Sequence, residues 1–124
     1  MRPNDIRYSK QHEWLRMEGE EAVIGITDFA ASELGDIVYL ELPEPGKKVR
    51  AGESLGSIET VKAVEELYSP VDGMVVESNV TLQTKPELVN EDPFGEGWMV
   101  RIQVSGVDEG ELMDAAGYAD MLGE

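Results

Sequence analysis

Turn-forming residues divide this chain into pieces that suit small strands and short helices. Gly19, Gly35, the run Pro43-Glu44-Pro45-Gly46, Ala51-Gly52, Pro70, Gly73 and the stretch from Asn90 to Gly97 recur along its whole length. Each supplies a backbone that turns or a residue that cannot continue a ladder. The apolar-rich runs between them, at 13–17, 22–26, 37–42, 55–59, 64–68, 74–77 and 98–104, read as strands. Glu18-Gly19-Glu20-Glu21 closes the first two into a hairpin. Thr27 is placed to cap a helix over 28–34, with Asp28 in its first turn and Gly35 as its stop. A short helical turn is expected over 85–89. Further on, Asp108 and Glu111 form a capping pair. Leu112, Ala116, Ala119 and Leu122 then recur at helical spacing up to Gly123, which predicts a C-terminal helix over about 108–122. The expected architecture is mainly β, a sandwich or barrel decorated by short helices. It forms a single domain over 1–124 with its core at about 8–104.

Charge and missing residue types narrow the function. The 124 residues carry 26 acidic against 10 basic side chains, a formal net charge of −16. A surface of that sign repels phosphate, which argues against nucleic acid and against an anionic membrane surface as partners. No apolar run approaches the roughly 20 residues of a membrane span. No apolar stretch follows the charges of the first ten residues, so the expected location is cytoplasmic, and a monomer is expected. The absence of cysteine removes disulfides, thiolate metal sites and a cysteine nucleophile. His12 is the single histidine, and there is no Gly-x-Ser-x-Gly elbow or phosphate-binding glycine loop. Neither a catalytic set nor a metal site is expected, and most of the acids read as solvated surface.

One lysine stands out by its place. Lys62 lies in Glu59-Thr60-Val61-Lys62-Ala63, the few residues between two predicted strands, so its side chain projects from a hairpin tip. A tip is reachable from most directions, and a rigid β body beneath would hold it out. Those are the needs of a swinging-arm carrier: a reachable amine for amide attachment, fixed at one point. Val49-x-x-Gly52-Glu53 precedes this segment and Ser69-Pro70-Val71-Asp72-Gly73 follows it.

This layout resembles the lipoyl and biotinyl carrier domains. Val61 and Ala63 stand where biotin carriers usually have methionines, so the resemblance is to the lipoyl kind. Further blocks sharpen it: His12-Glu13-Trp14, Gly25-Ile26-Thr27-Asp28-Phe29-Ala30, Leu34-Gly35-Asp36-Ile37-Val38, Glu41-Leu42-Pro43-Glu44-Pro45-Gly46, Pro86-Glu87-Leu88-Val89-Asn90 and Asp92-Pro93-Phe94-Gly95-Glu96-Gly97-Trp98. In that order, from about Tyr8 to Leu122, they resemble the H-protein family of the glycine cleavage system. Thr60 stands where that family often has serine, and Val64-Glu65-Glu66 is more acidic than usual.

The resemblance implies a barrel-sandwich hybrid and a non-catalytic carrier subunit with lipoate linked to Lys62. It implies four partners: a lipoate-attaching enzyme, a glycine decarboxylase (P protein) that loads an aminomethyl group, an aminomethyltransferase (T protein) that takes it, and a dihydrolipoyl dehydrogenase (L protein) that reoxidises the dithiol. A relay that donates lipoate to other lipoyl-dependent complexes is the alternative. The resemblance also places an arm-binding carboxylate at Glu13. His12 is placed beside it in the same arm cleft and reads as structural or merely exposed rather than catalytic. Glu13 and Trp14 are neighbours on one strand and point to opposite faces, so Trp14 is left to the other side.

Overall fold

A computed structural model describes residues 2–124. Among the described residues the strands are β1 (Arg7–Ser9), β2 (Glu13–Glu18), β3 (Glu21–Ile26), β4 (Ile37–Glu41), β5 (Lys48–Val49), β6 (Ser54–Thr60), β7 (Val64–Tyr68), β8 (Asp72–Ser78), β9 (Val100–Gly106) and β10 (Leu112–Met113). The helices are α1 (Asp28–Leu34), α2 (Leu88–Glu91) and α3 (Ala115–Leu122), with 3₁₀ turns at Val80–Gln83 and Glu109–Glu111.

The strands form two antiparallel sheets. One runs β10-β1-β2-β3-β9-β8-β5, the other β4-β6-β7. This is the expected mainly β architecture with short helices. Leu15, Ile24, Leu40, Ile58, Leu67 and Ile102 meet between the sheets and are 0–3% exposed. A second, smaller cluster lies on the outer face of the large sheet, where Tyr8, Trp14, Val23 and Tyr118 are buried beneath α3 and the loop holding Phe94 and Trp98. Trp14 therefore faces away from Glu13, as strand alternation requires. Its cross-strand partner is Gly25, and a Cβ there would come 2.8 Å from the indole ring, so only glycine admits this packing.

The helix over 28–34 forms as the sequence predicts. Thr27 Oγ1 accepts from Ala30 N, and Gly35, at φ +77°, ends it. The tail differs from the prediction. Asp108 caps only a three-residue 3₁₀ turn, and the helix starts at Ala115 under its own cap, Asp114. Leu112 pairs with Ser9 in a strand between them, so the core sheet extends past 104 to β10. The buried face of α3 is carried by Tyr118, while Ala116 is exposed. An aromatic side chain that reaches a buried partner outweighs a stripe of small residues. The helical turn expected over 85–89 lies at Leu88–Glu91, and the last long strand starts at Val100 rather than at 98.

Candidate functional site

The loop between β6 and β7 is three residues long, and Lys62 is its central residue. The turn is held by Thr60, which is 6% exposed. Its hydroxyl accepts from Lys62 N and Ala63 N, both at 3.1 Å, and its amide donates to Ala63 O at 2.8 Å. A threonine or serine is what such a turn needs, because each hydroxyl can close it onto the following amides. Val61 and Val64 on either side are 69% and 63% exposed. The lysine is thus an exposed amine on a backbone that is locally fixed.

Beside the hairpin a cleft of about 350 Å³ runs between α1 and β7. Ile26, Phe29, Leu34, Ile58 and Leu67 give it apolar walls, and Glu33, Glu65 and Glu66 stand on its flanks. Glu13, His12 and Gln11 line it as well, from the start of β2 and the turn before it. Phe29, Leu34 and Tyr68 carry little local signal as lining residues, since apolar residues on a short helix and a strand look like ordinary core. A larger hollow of about 630 Å³ along β5 and β8 is open and does not hold Glu13, and Lys62 lines neither hollow.

Glu13 is 3% exposed, so it is not an ordinary surface acid. Ser9 Oγ donates to its carboxylate at 2.7 Å, and the Glu13 amide donates back to Ser9 Oγ at 3.1 Å. The backbone of Tyr68, on the same cleft, also favours the ionised carboxyl. Burial outweighs these contacts and pushes the Glu13 carboxyl up to about 7. Among the described residues no buried side-chain nitrogen or oxygen lacks a partner.

His12 does a different job. It is the one described non-glycine residue with a left-handed φ, +71°. Its Nδ1 lies 2.7 Å from the Tyr118 hydroxyl, which also lies 2.7 Å from Thr27 Oγ1. Its carbonyl accepts from Thr27 N at 3.0 Å, and its ring packs against Phe29. Burial holds the imidazole below its ordinary value. These contacts fix the turn that delivers Glu13 into the cleft.

The family model for the glycine cleavage H-protein matches residues 6–124. The chain belongs to the glycine cleavage H-protein family. The Rubrobacter xylanophilus protein named glycine cleavage system H protein is 53% identical over 122 residues, covering 98% of this chain and 95% of that one. The H protein of Bacillus licheniformis is 52% identical over 123 residues, covering 98% and 97%. The crystal structure of a glycine cleavage system H protein from Mycobacterium marinum superposes with a TM-score of 0.92 at 37% identity, covering 98% of this chain and 99% of that one. Among the described residues no cluster of metal-ligating side chains is found.

Proposed function

We propose that this chain is the lipoyl-bearing carrier of the glycine cleavage system, with Lys62 as the attachment point. One observation carries this reading: an exposed amine on a fixed hairpin tip stands beside an apolar cleft that ends on a buried carboxylate. The residues suit the group. The tip offers an amine that an attaching enzyme can reach, and the cleft offers apolar walls to a hydrocarbon arm. When bound, the lipoyl group supplies a disulfide that opens to thiols, one of which takes the aminomethyl unit of glycine.

The protein's own residues shield that cargo. The cargo carries a primary ammonium, and water would split it to thiol, formaldehyde and ammonium. Glu13 binds the ammonium through a charge-assisted hydrogen bond, while Phe29, Leu34, Ile58 and Leu67 keep water away. The ammonium favours the ionised carboxyl, so docking of the cargo releases a proton from Glu13 wherever the carboxyl was protonated beforehand. The chain performs no chemical step itself. It presents the cargo to the P, T and L proteins, and as a carrier it acts as a monomer in a single domain.

The test is peptide mapping and intact mass after treatment with a lipoate ligase. Lys62, and none of Lys10, Lys47, Lys48 and Lys85, should gain the lipoyl mass. Lys62→Arg keeps the charge but offers no nucleophilic amine. It should abolish glycine–bicarbonate exchange and move stability by no more than about 0.5 kcal/mol, because the site is exposed. Modification at another lysine, or exchange by the arginine variant above a control lacking the protein, would refute the reading.

A further inference from the structure

Lys62 does not stand clear of the molecule. A Cβ on Gly35 would lie 3.7 Å from its Cε and 4.0 Å from its Nζ, so the lysine lies along the backbone that ends α1. The other end of α1 reaches His12, through Thr27 N and the Phe29 ring, 4.9 Å from the imidazole. Seven residues at helical rise make α1 about 10 Å long. The helix is thus a rail from Lys62 to the neighbourhood of Glu13, and Phe29, Ala30, Glu33 and Leu34 present its cleft side.

A seven-residue helix has little stability of its own and must be fastened at both ends. At the N-terminal end Thr27 caps it, and Arg2 Nε donates to Asp28 at 2.8 Å. At the C-terminal end the fastening comes from α2. Asn90 Nδ2 donates to Gly35 O at 2.8 Å, and Asn90 Oδ1 accepts from Ile37 N at 3.1 Å. Both halves of one amide bracket Asp36 from either side. Ile37 opens β4 and is paired with Thr60, the residue that closes the hairpin turn. The bracket therefore joins the end of the rail to the base of the tip.

We infer that Asn90 is a positioning residue for the carried arm: by bracketing Gly35 and Ile37 it keeps the end of α1 under Lys62 and aims the arm along α1 toward Glu13. The inference rests on Lys62 being the lipoyl site. A side chain that merely stabilised the fold would lower the melting temperature without caring whether Glu13 can hold the cargo.

The experiment uses lipoylated full-length protein: wild type, Asn90→Asp, Glu13→Gln and the double variant. Each is loaded with glycine by glycine decarboxylase and then separated from it. Asn90→Asp keeps the shape and the acceptor for Ile37 N and loses the donor to Gly35 O. Asn90→Ala, which loses both, carries the same comparison should the aspartate variant fail to fold. Two quantities are read: the rate of formaldehyde release, and the amide ¹H–¹⁵N shifts of Phe29 and Leu34 on loading. Asn90→Asp should speed release about tenfold, the scale of one lost hydrogen bond, and shrink the loading shift at Leu34. In the Glu13→Gln background the same change should add less than about twofold, because an arm no longer held at its far end loses little by being misaimed. Unchanged release from the folded variant, or the full tenfold effect without Glu13, overturns the inference. A chain that takes no lipoate at Lys62 overturns the carrier reading as well, whereas lipoylation with unaltered release overturns the positioning role alone.

Discussion

Glu13 is costly to the folded chain. Unfolded, its carboxyl has the ordinary carboxylate value, and folded it is pushed up to about 7. Between those values the folded state holds a proton that the unfolded state does not, so stability falls as pH rises through the window. Above it the buried charge costs on the order of 3 kcal/mol. Glu13→Gln removes the charge and keeps the shape. Urea denaturation should show wild type losing stability relative to the variant from about pH 5 to pH 7.5. His12 titrates in both proteins and cancels in the difference. The aminomethyl-loaded variant should also release formaldehyde faster than wild type in the absence of T protein, and equal rates would remove Glu13 from the shielding site. At this scale the sequence was readable where a residue's role depends on its neighbours in the chain. Lys62 could be placed from its hairpin, and Glu13 opposite Trp14 from strand alternation. The burial of Glu13 could not, because it depends on Ser9, Tyr68 and α1 converging on it from separate elements.

Two elements hold the site in shape. The β6–β7 turn is closed by one backbone hydrogen bond, Thr60 N to Ala63 O, and by the Thr60 hydroxyl, which accepts from the Lys62 and Ala63 amides. Thr60→Ala should leave the strands paired but loosen the tip, lowering kcat/KM for lipoate attachment by about tenfold. Thr60→Ser should restore it, and an alanine variant modified at the wild-type rate would show that the tip needs no fixing. The other element is α3, whose Tyr118 hydroxyl lies between His12 and Thr27. Tyr118→Phe leaves buried Thr27 and half-buried His12 each short of a hydrogen bond and should destabilise the chain by about 1–3 kcal/mol in urea titration. Helix α1 was legible to its caps because Thr27, Asp28 and Gly35 are local signals. The tail was not, because β10 exists only by pairing with β1, more than a hundred residues away in the chain. The spacing of Leu112, Ala116, Ala119 and Leu122 imitates a helix that this distant pairing shortens.

On the proposed carrier reading, the whole molecule has to leave its tip bare for its partner enzymes and still ignore copies of itself. A bare hairpin at the end of a three-stranded sheet has an open edge, and β7 is that edge. Unpaired backbone there is a template on which another chain could lay a strand. Glu65 and Glu66 occupy the middle of β7, and a net charge of −16 repels a second copy before contact. The large sheet ends in strands of only two residues, β10 and β5, too short to seed a ladder. The acidity of Val64-Glu65-Glu66 is the feature expected to guard this edge against self-association. Replacing both glutamates, Glu65→Val with Glu66→Val, leaves Val64 through Tyr68 as an unbroken apolar edge strand. Sedimentation of that variant should shift to larger species as concentration rises, while wild type should not shift, and a variant that stays as dispersed as wild type would show that the edge is guarded by something else. If the chain is the proposed carrier, it works by visiting one enzyme after another, and a copy stuck to its twin visits none, so resistance to clumping would belong to its turnover as much as the arm does.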